Sequence, residues 1–226
     1  KNRLKISIIT VTKNSDKFLQ EAINSVSKQK YRNFEHIIVD GASTDQTLNI
    51  IKKNKSDIKK WISEPDLGLY YAMNKGIDLC SGDIIGILNS DDVYFPETLS
   101  TVNRYFNENQ IDFLFGRVYK HKLMYGFFPK KIKWTFGFYT THSVGFFIKK
   151  RSQDKIGHYN TKYKWSADYD LFYKMIEKYK MRGIATKKEE VFGIFRQGGL
   201  SSRIKYIDFL KENNQIRLDN GQNKIL

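Results

Sequence analysis

The sequence lacks the features of a disulfide-stabilised or multi-unit protein. Cys80 is the single cysteine among 226 residues, which excludes an intrachain disulfide and a cysteine-rich zinc site. Only three prolines and no glycine- or serine-rich tract interrupt the chain, so nothing marks a linker between independent units. We therefore expect one domain over residues 1–226, made of two halves, 1–117 and 118–226.

Long hydrophobic runs are missing as well. The longest, such as residues 84–88, are far shorter than the roughly 20 apolar residues that cross a bilayer. No signal-peptide pattern opens the chain. Together with the near absence of cysteine, these observations predict a cytoplasmic protein.

Positive charge is abundant. Lys and Arg number 39 against 24 Asp and Glu, which gives a formal net charge of +15. Such a field favours an anionic partner, either nucleic acid, an anionic membrane or a phosphorylated substrate, although a solvated lysine surface explains it equally well. No aromatic RNA-binding strand, Cys/His finger or heptad zipper is present, so we expect no nucleic acid partner.

The first half alternates apolar strand-like runs with amphipathic helical patterns. This order is typical of βαβ units and predicts an α/β fold with a mixed, mostly parallel sheet flanked by helices. The predicted strands are 6–11, 34–39, 58–62, 83–88 and 111–115, and the predicted helices begin near Ser15, near Ser43, at Leu69 and after Pro96.

The second half is less regular. Residues 119–139 combine five lysines with eight aromatics and fit no single period, which indicates either a surface loop that grips a ligand or a hairpin packed on the core. Beyond it we expect strands at 144–148 and 191–195 and helices at 167–179 and 204–210.

Two adjacent carboxylates stand at the end of the fourth predicted strand. Asp91 and Asp92 follow Asn89 directly behind an apolar run, and α/β proteins keep their ligands at that end of their strands. Two such charges repel unless a cation lies near. The pair therefore suggests a magnesium or manganese site for a diphosphate ligand, while a polar turn that caps the next helix is the alternative.

Three more segments gather polar and small residues near strand ends. They are 7–14, 39–45, and 74–76 with 82–83. Asp40 leaves an apolar strand and could accept a hydrogen bond from a base or ribose, or it could simply end the strand in a turn. Gly41, Ala42 and Ser43 would let a ligand ring approach the backbone.

These segments together resemble the inverting glycosyltransferase family two. The resemblance covers most of the chain and is carried by IITVTKN (8–14), IVDGASTDQT (38–47), EPDLGLYYAMNKG (64–76) and the segment 82–92. It implies a GT-A fold, which is a Rossmann-like nucleotide-sugar-binding fold, with residues 1–117 holding the donor and 118–226 the acceptor. It also implies a nucleotide-sugar donor, UDP-linked, and a divalent metal ion, manganese or magnesium.

Carried onto this chain, the resemblance assigns roles to single residues. Val11 and Thr12 would line the base pocket, Asp40 would contact the base, and Asn74 would lie near the nucleotide. Asp91, with Asp92 beside it, would hold the metal on the diphosphate. Two positions depart from the family. Asn89 stands where an Asp facing the ribose is common, although an amide can also bind a hydroxyl, and Tyr71 stands where close relatives carry Asp.

The resemblance places the catalytic base in the second half. Segment 165–171 is similar to the start of the helix that bears the family's catalytic Asp, and Asp168 occupies that position, with plain helix capping as the alternative. Trp165 and Tyr169 could raise its pKa by desolvation. His142 and Trp165 would lie on the acceptor side, and residues 198–202 would form either a lid or a glycine turn.

Three functions compete at this level. The first is a metal-dependent inverting glycosyltransferase that acts on a glycan or a polyprenyl-diphosphate-linked acceptor, with peripheral contact to an anionic membrane through residues 119–139. The second is a basic module for nucleic acid or membrane on an α/β scaffold without catalysis. The third is an enzyme-like fold that has lost activity. Four acidic residues facing the ligand, Asp40, Asp91, Asp92 and Asp168, argue against a polyanion-binding module.

Overall fold

The protein folds into an α/β structure around a large mixed sheet. The computed structural model describes residues 3–135, 140, 142–196 and 205–223. In chain order the strands are β1 (Ile6–Thr12), β2 (Phe34–Asp40), β3 (Lys60–Ser63), β4 (Ile84–Ile87), β5 (Val93–Tyr94), β6 (Phe113–Phe115), β7 (Arg117–Tyr119), β8 (Leu123–Met124), β9 (Phe146–Lys149), β10 (Gly183–Ala185) and β11 (Val191–Ile194). The α-helices are α1 (Leu19–Ser27), α2 (Thr47–Lys53), α3 (Leu69–Leu79), α4 (Thr98–Glu108), α5 (Lys150–Ile156), α6 (Ala167–Tyr173) and α7 (Tyr206–Asp219).

The large sheet has seven strands within the described residues, in the order β10-β6-β9-β4-β1-β2-β3. All neighbours pair in parallel except β9, which runs antiparallel to both β4 and β6. The predicted mixed, mostly parallel sheet is therefore confirmed. Since β9 enters between strands of the first half, residues 118–226 complete the sheet that residues 1–117 begin.

Buried apolar strands explain the centre of this sheet. Every residue of β1 is buried, as expected for a parallel strand that helices cover on both faces. Gly76 of α3 lies so close to β1 that a Cβ atom there would stand 2.3 Å from the Ile9 side chain. A glycine at this position lets α3 pack closely against the sheet.

A smaller sheet crosses one end of the large one. Its order is β5-β11-β7-β8, and Val118 and Phe192 bury one of its faces against α4 and the large sheet. The described part of the irregular segment, residues 119–135, includes the β7–β8 hairpin. Phe127 packs on Phe113 and Phe115, while Tyr125 and Trp134 stay exposed.

Several predicted boundaries in the second half were wrong. The helix predicted at 167–179 is α-helical only to Tyr173 and continues as a π-helical turn at Lys174–Lys178. The predicted helix 204–210 is instead α7, which begins at Tyr206 and extends to Asp219. Helix α5 was not predicted, because its seven residues include four charged residues and only one large apolar side chain.

Candidate active site

The candidate site lies at one edge of the large sheet. The carboxyl ends of β1, β2, β3 and β4 meet there, because these strands are parallel. The carboxyl end of β6 and the start of the antiparallel β9 lie at the same edge. The segments that follow these strands carry most of the predicted site residues. Ligands of open α/β sheets bind in the crevice outside such strand ends.

Asp40 closes the β2 end of this crevice. The side chain is fully buried, and its carboxylate accepts hydrogen bonds from the Ser43 backbone at 3.0 Å, the Ser43 hydroxyl at 2.5 Å and the Ser63 hydroxyl at 2.7 Å. A carboxylate offers about four acceptor positions, and these contacts from described residues fill three of them. Asp40 therefore shapes the turn at 41–43.

Val11 and Thr12 end β1 beside that turn. Val11 is 4 % exposed and belongs to the core, and Thr12 is 6 % exposed. The Thr12 carbonyl accepts from the Gly41 backbone at 2.9 Å, but its hydroxyl is buried and, among the described residues, lacks a hydrogen-bond partner. Buried hydroxyls are normally bonded, so this hydroxyl fits a group that binds ligand.

Asn74 has a different neighbour from the one expected. Its amide donates to the Tyr159 carbonyl at 2.9 Å and accepts from the Tyr159 backbone at 2.8 Å. Both polar ends of the side chain thus tie α3 to the chain before α6. This geometry does not support the expected contact between Asn74 and the nucleotide.

Asp91 is the half-buried carboxylate of the dyad. Burial raises its pKa and the Arg196 charge opposes that rise. Within the described ranges, no other residue donates a hydrogen bond to this carboxylate. Asp91 is therefore the member of the dyad that is open to a cation.

Asp92 points the other way. It is fully buried, and its carboxylate accepts from the Arg196 backbone at 3.0 Å and from the Asn89 amide at 3.4 Å. Burial and the nearby Asp91 charge raise the pKa of Asp92 to about 8. The expected role of Asp92 as a metal ligand is not supported, because its oxygens are enclosed and directed toward the chain after β11.

The residues at the dyad fit a divalent metal ion that the phosphates of a bound substrate would also coordinate. No group of three or more His, Cys, Asp or Glu side chains able to bind a metal occurs in the described part of the chain. Magnesium-type ions commonly use one or two carboxylates and complete their coordination with substrate phosphates. Asp91 satisfies that pattern, and the Asn89 side-chain oxygen beside it is buried without a partner among the described residues.

Asp168 lies in the first turn of α6, next to the start of α3. Burial raises its pKa, and its carboxylate accepts from the Tyr70 hydroxyl at 3.1 Å and from the Tyr169 backbone at 2.9 Å. A carboxylate that is both partly desolvated and fixed in orientation suits proton transfer. The sequence segment 64–76 contains Tyr70, but nothing in it indicated that this hydroxyl would meet Asp168.

Trp165 and His142 lie at the same edge in supporting positions. The Trp165 backbone donates to Glu212 of α7 at 2.7 Å and its carbonyl accepts from Tyr70 at 3.1 Å. The His142 ring stacks on Phe195 with 3.6 Å between centroids. Burial, with the Lys120 charge, lowers the pKa of His142 to about 3, so this imidazole is neutral at working pH and its stacking contributes to structure.

Arg196 is a site residue that the sequence alone did not reveal. Its guanidinium bonds to Glu21 and lies 5.3 Å from the Phe18 ring centroid, while its backbone holds Asp92. It therefore brings a positive charge to the dyad. The predicted lid or glycine turn at 198–202 lies outside the described residues.

The chain is similar in sequence to known proteins. The sequence profile described as glycosyl transferase family 2 matches residues 7–176. The PGL/p-HBAD biosynthesis glycosyltransferase of Mycobacterium bovis is 30 % identical over 219 residues, which span 91 % of this chain and 82 % of that protein.

Solved structures share the fold. The UDP complex of Staphylococcus aureus TarS residues 1–349 matches with a TM-score of 0.76 at 20 % identity, covering 99 % of this chain and 67 % of that one. A Pyrobaculum calidifontis mannosyltransferase with GDP-Man and Mn²⁺ matches with a TM-score of 0.77 at 16 % identity, covering 98 % and 66 %. At these identities the likeness establishes the GT-A fold alone.

Proposed function

Because the chain belongs to glycosyl transferase family 2 and is a glycosyltransferase, we propose that it moves a sugar from a UDP-linked donor to a hydroxyl group of a glycan or lipid-linked acceptor, with inversion at the anomeric carbon. The observation that carries this proposal is the meeting of Asp40, Asp91 and Asp168 at one edge of the sheet. In this proposal Asp40 would contact the base, Asp91 the diphosphate through a metal ion, and Asp168 would accept the proton.

The donor would lie across the ends of β1, β2 and β4. Asp40 and the free Thr12 hydroxyl would bind the base and ribose side, and Asp91 would hold the divalent ion, which supplies positive charge to the leaving diphosphate. Stabilising that charge is the main electrostatic demand of the reaction. Arg196 would add a second positive charge near the same group.

Asp168 would act as the general base. As the acceptor oxygen forms its bond to the anomeric carbon, the bond from that carbon to the diphosphate oxygen breaks and its electrons leave with UDP. The hydroxyl proton passes to Asp168, whose orientation Tyr70 holds. A single displacement of this kind inverts the anomeric centre and needs no covalent enzyme intermediate.

The acceptor proposal extends to a polyprenyl-diphosphate-linked glycan reached at the inner face of an anionic membrane. Its support is the exposed basic and aromatic hairpin around Tyr125 and Trp134. No helix in the described ranges is long and apolar enough to cross a membrane.

Metal-dependent UDP binding tests the donor site. We expect manganese alone to bind weakly, because Asp91 is a single open carboxylate, and UDP with manganese to stabilise the protein strongly in a thermal shift assay. Asp91→Ala should abolish that stabilisation. Asp92→Asn is the matched control and should retain it within a few-fold in affinity, since its carboxylate faces away from the crevice.

Turnover completes this test. A panel of nucleotide sugars with manganese should reveal slow donor hydrolysis, preferentially of a UDP-sugar, without any acceptor. Tight manganese binding without nucleotide, or equal loss in the two Asp variants, would contradict the proposed donor site.

A further inference from the structure

One buried arginine on the acceptor side has no counter-charge. Arg117 begins β7 and is 7 % exposed, and no carboxylate of the described residues forms an ion pair with it. Its Nε atom is buried without a hydrogen-bond partner in that part of the chain. A buried charge without a partner is costly, so this arrangement is explained best if an anion binds there.

The acidic residue nearest to Arg117 along the pairing of β7 with β11 is Glu190, and its carboxylate already has other partners. Val191 pairs with Arg117 between β11 and β7, and Glu190 precedes it. The Glu190 carboxylate, however, bonds to Arg104, to the Tyr105 hydroxyl at 2.5 Å and to the Lys187 backbone at 3.1 Å. It is therefore not available to neutralise Arg117.

The surrounding sequence offers no other acid. Residues 113–153 contain no Asp or Glu, but they contain nine basic residues: Arg117, Lys120, Lys122, Lys130, Lys131, Lys133, Lys149, Lys150 and Arg151. A run of 41 residues with charge of one sign creates a positive field on this side of the crevice. The field would attract an anionic ligand toward Arg117.

The guanidinium is oriented by an aromatic ring. Tyr125 lies over Arg117, with 4.4 Å from the guanidinium carbon to the ring centroid, and is itself 54 % exposed. Such stacking uses a face of the guanidinium and leaves the N–H donors in its plane. An in-plane fork of donors is the arrangement that binds phosphate with two hydrogen bonds.

Arg117 also lies on the acceptor side of the proposed site. It comes two residues after Phe115, whose ring packs at 5.3 Å on Phe172, one turn of α6 after Asp168. The backbone between them, at Gly116, donates to Gly145 in the segment that His142 begins. Arg117 thus follows, two residues later, a side chain that packs on the helix of the proposed base.

We propose that Arg117 binds a phosphoryl group carried by the acceptor, so that the acceptor class is a phosphate or diphosphate ester. This inference rests on the proposed function, because it assigns the group to the acceptor of the sugar transfer. The Arg117 guanidinium and the Tyr125 ring would hold the ester while its hydroxyl reaches Asp168.

Binding of a simple phosphate ester tests this site. The donor site is first saturated with UDP and Mg²⁺, and farnesyl phosphate, farnesol and inorganic phosphate are then titrated separately by calorimetry. Farnesyl phosphate should bind and farnesol should not. Arg117→Met should weaken the ester about ten- to hundredfold, as expected when hydrogen bonds to a charged group are lost, and Arg117→Lys should lie between.

The control variant removes one arginine charge from the same basic segment, residues 113–153. Arg151 is exposed on α5, so Arg151→Met should change the affinity for the ester less than about twofold, as expected for a screened surface charge. If Arg117→Met does not fold, Arg117→Lys decides, because it keeps the charge but loses the planar fork. Unchanged ester binding in the variant that decides would overturn the proposal.

Two further outcomes identify other roles. If inorganic phosphate binds as tightly as the ester, the site takes free phosphate and the acceptor assignment fails. If Arg117→Met weakens UDP by the same factor, Arg117 serves the donor and the proposal also fails. Absence of UDP binding to the wild-type protein would refute the proposed function separately, while the ester titration would still judge Arg117.

Discussion

Asp168, the proposed general base, has a pKa that burial raises above the ordinary value of a carboxyl group. Burial raises its pKa and the Tyr70 hydrogen bond lowers it, so the two effects together set where the group ionises. Because a base must be ionised to accept a proton, activity should fall as pH decreases through this pKa. Asp168→Asn should reduce sugar transfer at least about a hundredfold, the lower range of a lost general base, and leave UDP affinity unchanged, as measured by steady-state kinetics and calorimetry.

Two variants separate catalysis from folding in this experiment. Asp170→Asn lies two residues further along α6, where the carboxylate pairs with Lys174, and its turnover per folded molecule should match the wild type. Tyr70→Phe removes the hydrogen bond that lowers the Asp168 pKa, so the acid limb of the kcat profile should move to higher pH. Transfer by Asp168→Asn at the wild-type rate would show that another group takes the proton.

Adjacent residues can have opposite roles, and this limits what a sequence can predict. The strand end that carries Asp91 and Asp92 was recognisable, because an apolar run precedes two acids. The family resemblance put Asp91 first as the metal ligand, with Asp92 beside it. The residue pattern alone could not predict that Asp92 turns away, since Asp92 is fixed by the backbone of Arg196, 104 positions away. Asn74 is a similar case, because its partner Tyr159 belongs to a different part of the fold.

At the opposite edge of the large sheet, a buried carboxylate joins β2 to β1 and to the segment before β4. Glu35 of β2 is 3 % exposed and accepts from Ser7 at 2.6 Å, the Ser81 backbone at 2.7 Å and Lys5 at 2.8 Å. Burial alone would raise its pKa, but these hydrogen bonds outweigh burial and lower the pKa of Glu35 to about 2 from its ordinary 4.5. Its stabilising contribution is therefore present above about pH 4.5 and is lost as pH falls through about 2.

Glu35→Gln should consequently destabilise the protein most at neutral pH. The expected loss is about 3 to 4 kcal/mol, since the pKa falls from 4.5 to about 2 and one pKa unit corresponds to about 1.4 kcal/mol. For a chain of this size that is a decrease in Tm of about 6 to 16 °C. The difference should shrink when melting is followed at pH 3. Glu97→Gln is the control, because Glu97 is 58 % exposed in a pair with Lys30, and a comparable loss there would contradict the special role of Glu35.

The elements differ in how far their sequences determine them. Helix α3 was predicted from Leu69 to Leu79 and forms over that range, because its buried residues recur at helical spacing and Gly68 precedes it. Strands β5, β7 and β8 have two or three residues each, too few to show a period. Strands β5 and β7 each pair with β11, which is far away in sequence, and no local pattern records such pairing. Strand β8 pairs with β7 through a short hairpin.

The two halves of the chain are not independent in space. Strand β9 lies between β4 and β6, so the half that contains Asp168 contributes a central strand to the sheet that orients the donor side. A change in β9 therefore affects both the dyad and α6. This interleaving would fix the proposed base relative to the proposed donor site, which a flexible connection between two units would not achieve.

Exposed aromatic side chains and lysines of this positively charged protein lie together in the segment 119–135. Phe128 and Trp134 are 43 % and 59 % exposed, and the Lys131 ammonium lies 4.8 Å from the first ring centroid and 5.7 Å from the second. Lysines near an anionic surface contribute about 1 kcal/mol each, and amphipathic aromatic rings favour the headgroup region. We therefore expect the protein to bind vesicles that contain phosphatidylglycerol, with binding lost in about 0.5 M salt because screening removes the attraction.

Two double variants, each of which removes two positive charges, test which surface of the protein binds the vesicles. Replacing Lys130 and Lys131 by Gln should weaken vesicle binding about 30-fold, since two lysines at about 1 kcal/mol each amount to that factor. Replacing Lys52 and Lys53 at the end of α2 by Gln should weaken it far less, because those lysines stand apart from the aromatic hairpin. Co-sedimentation with vesicles measures both. Equal weakening by the two variants would mean that net charge alone, rather than a defined surface, draws the protein to the membrane.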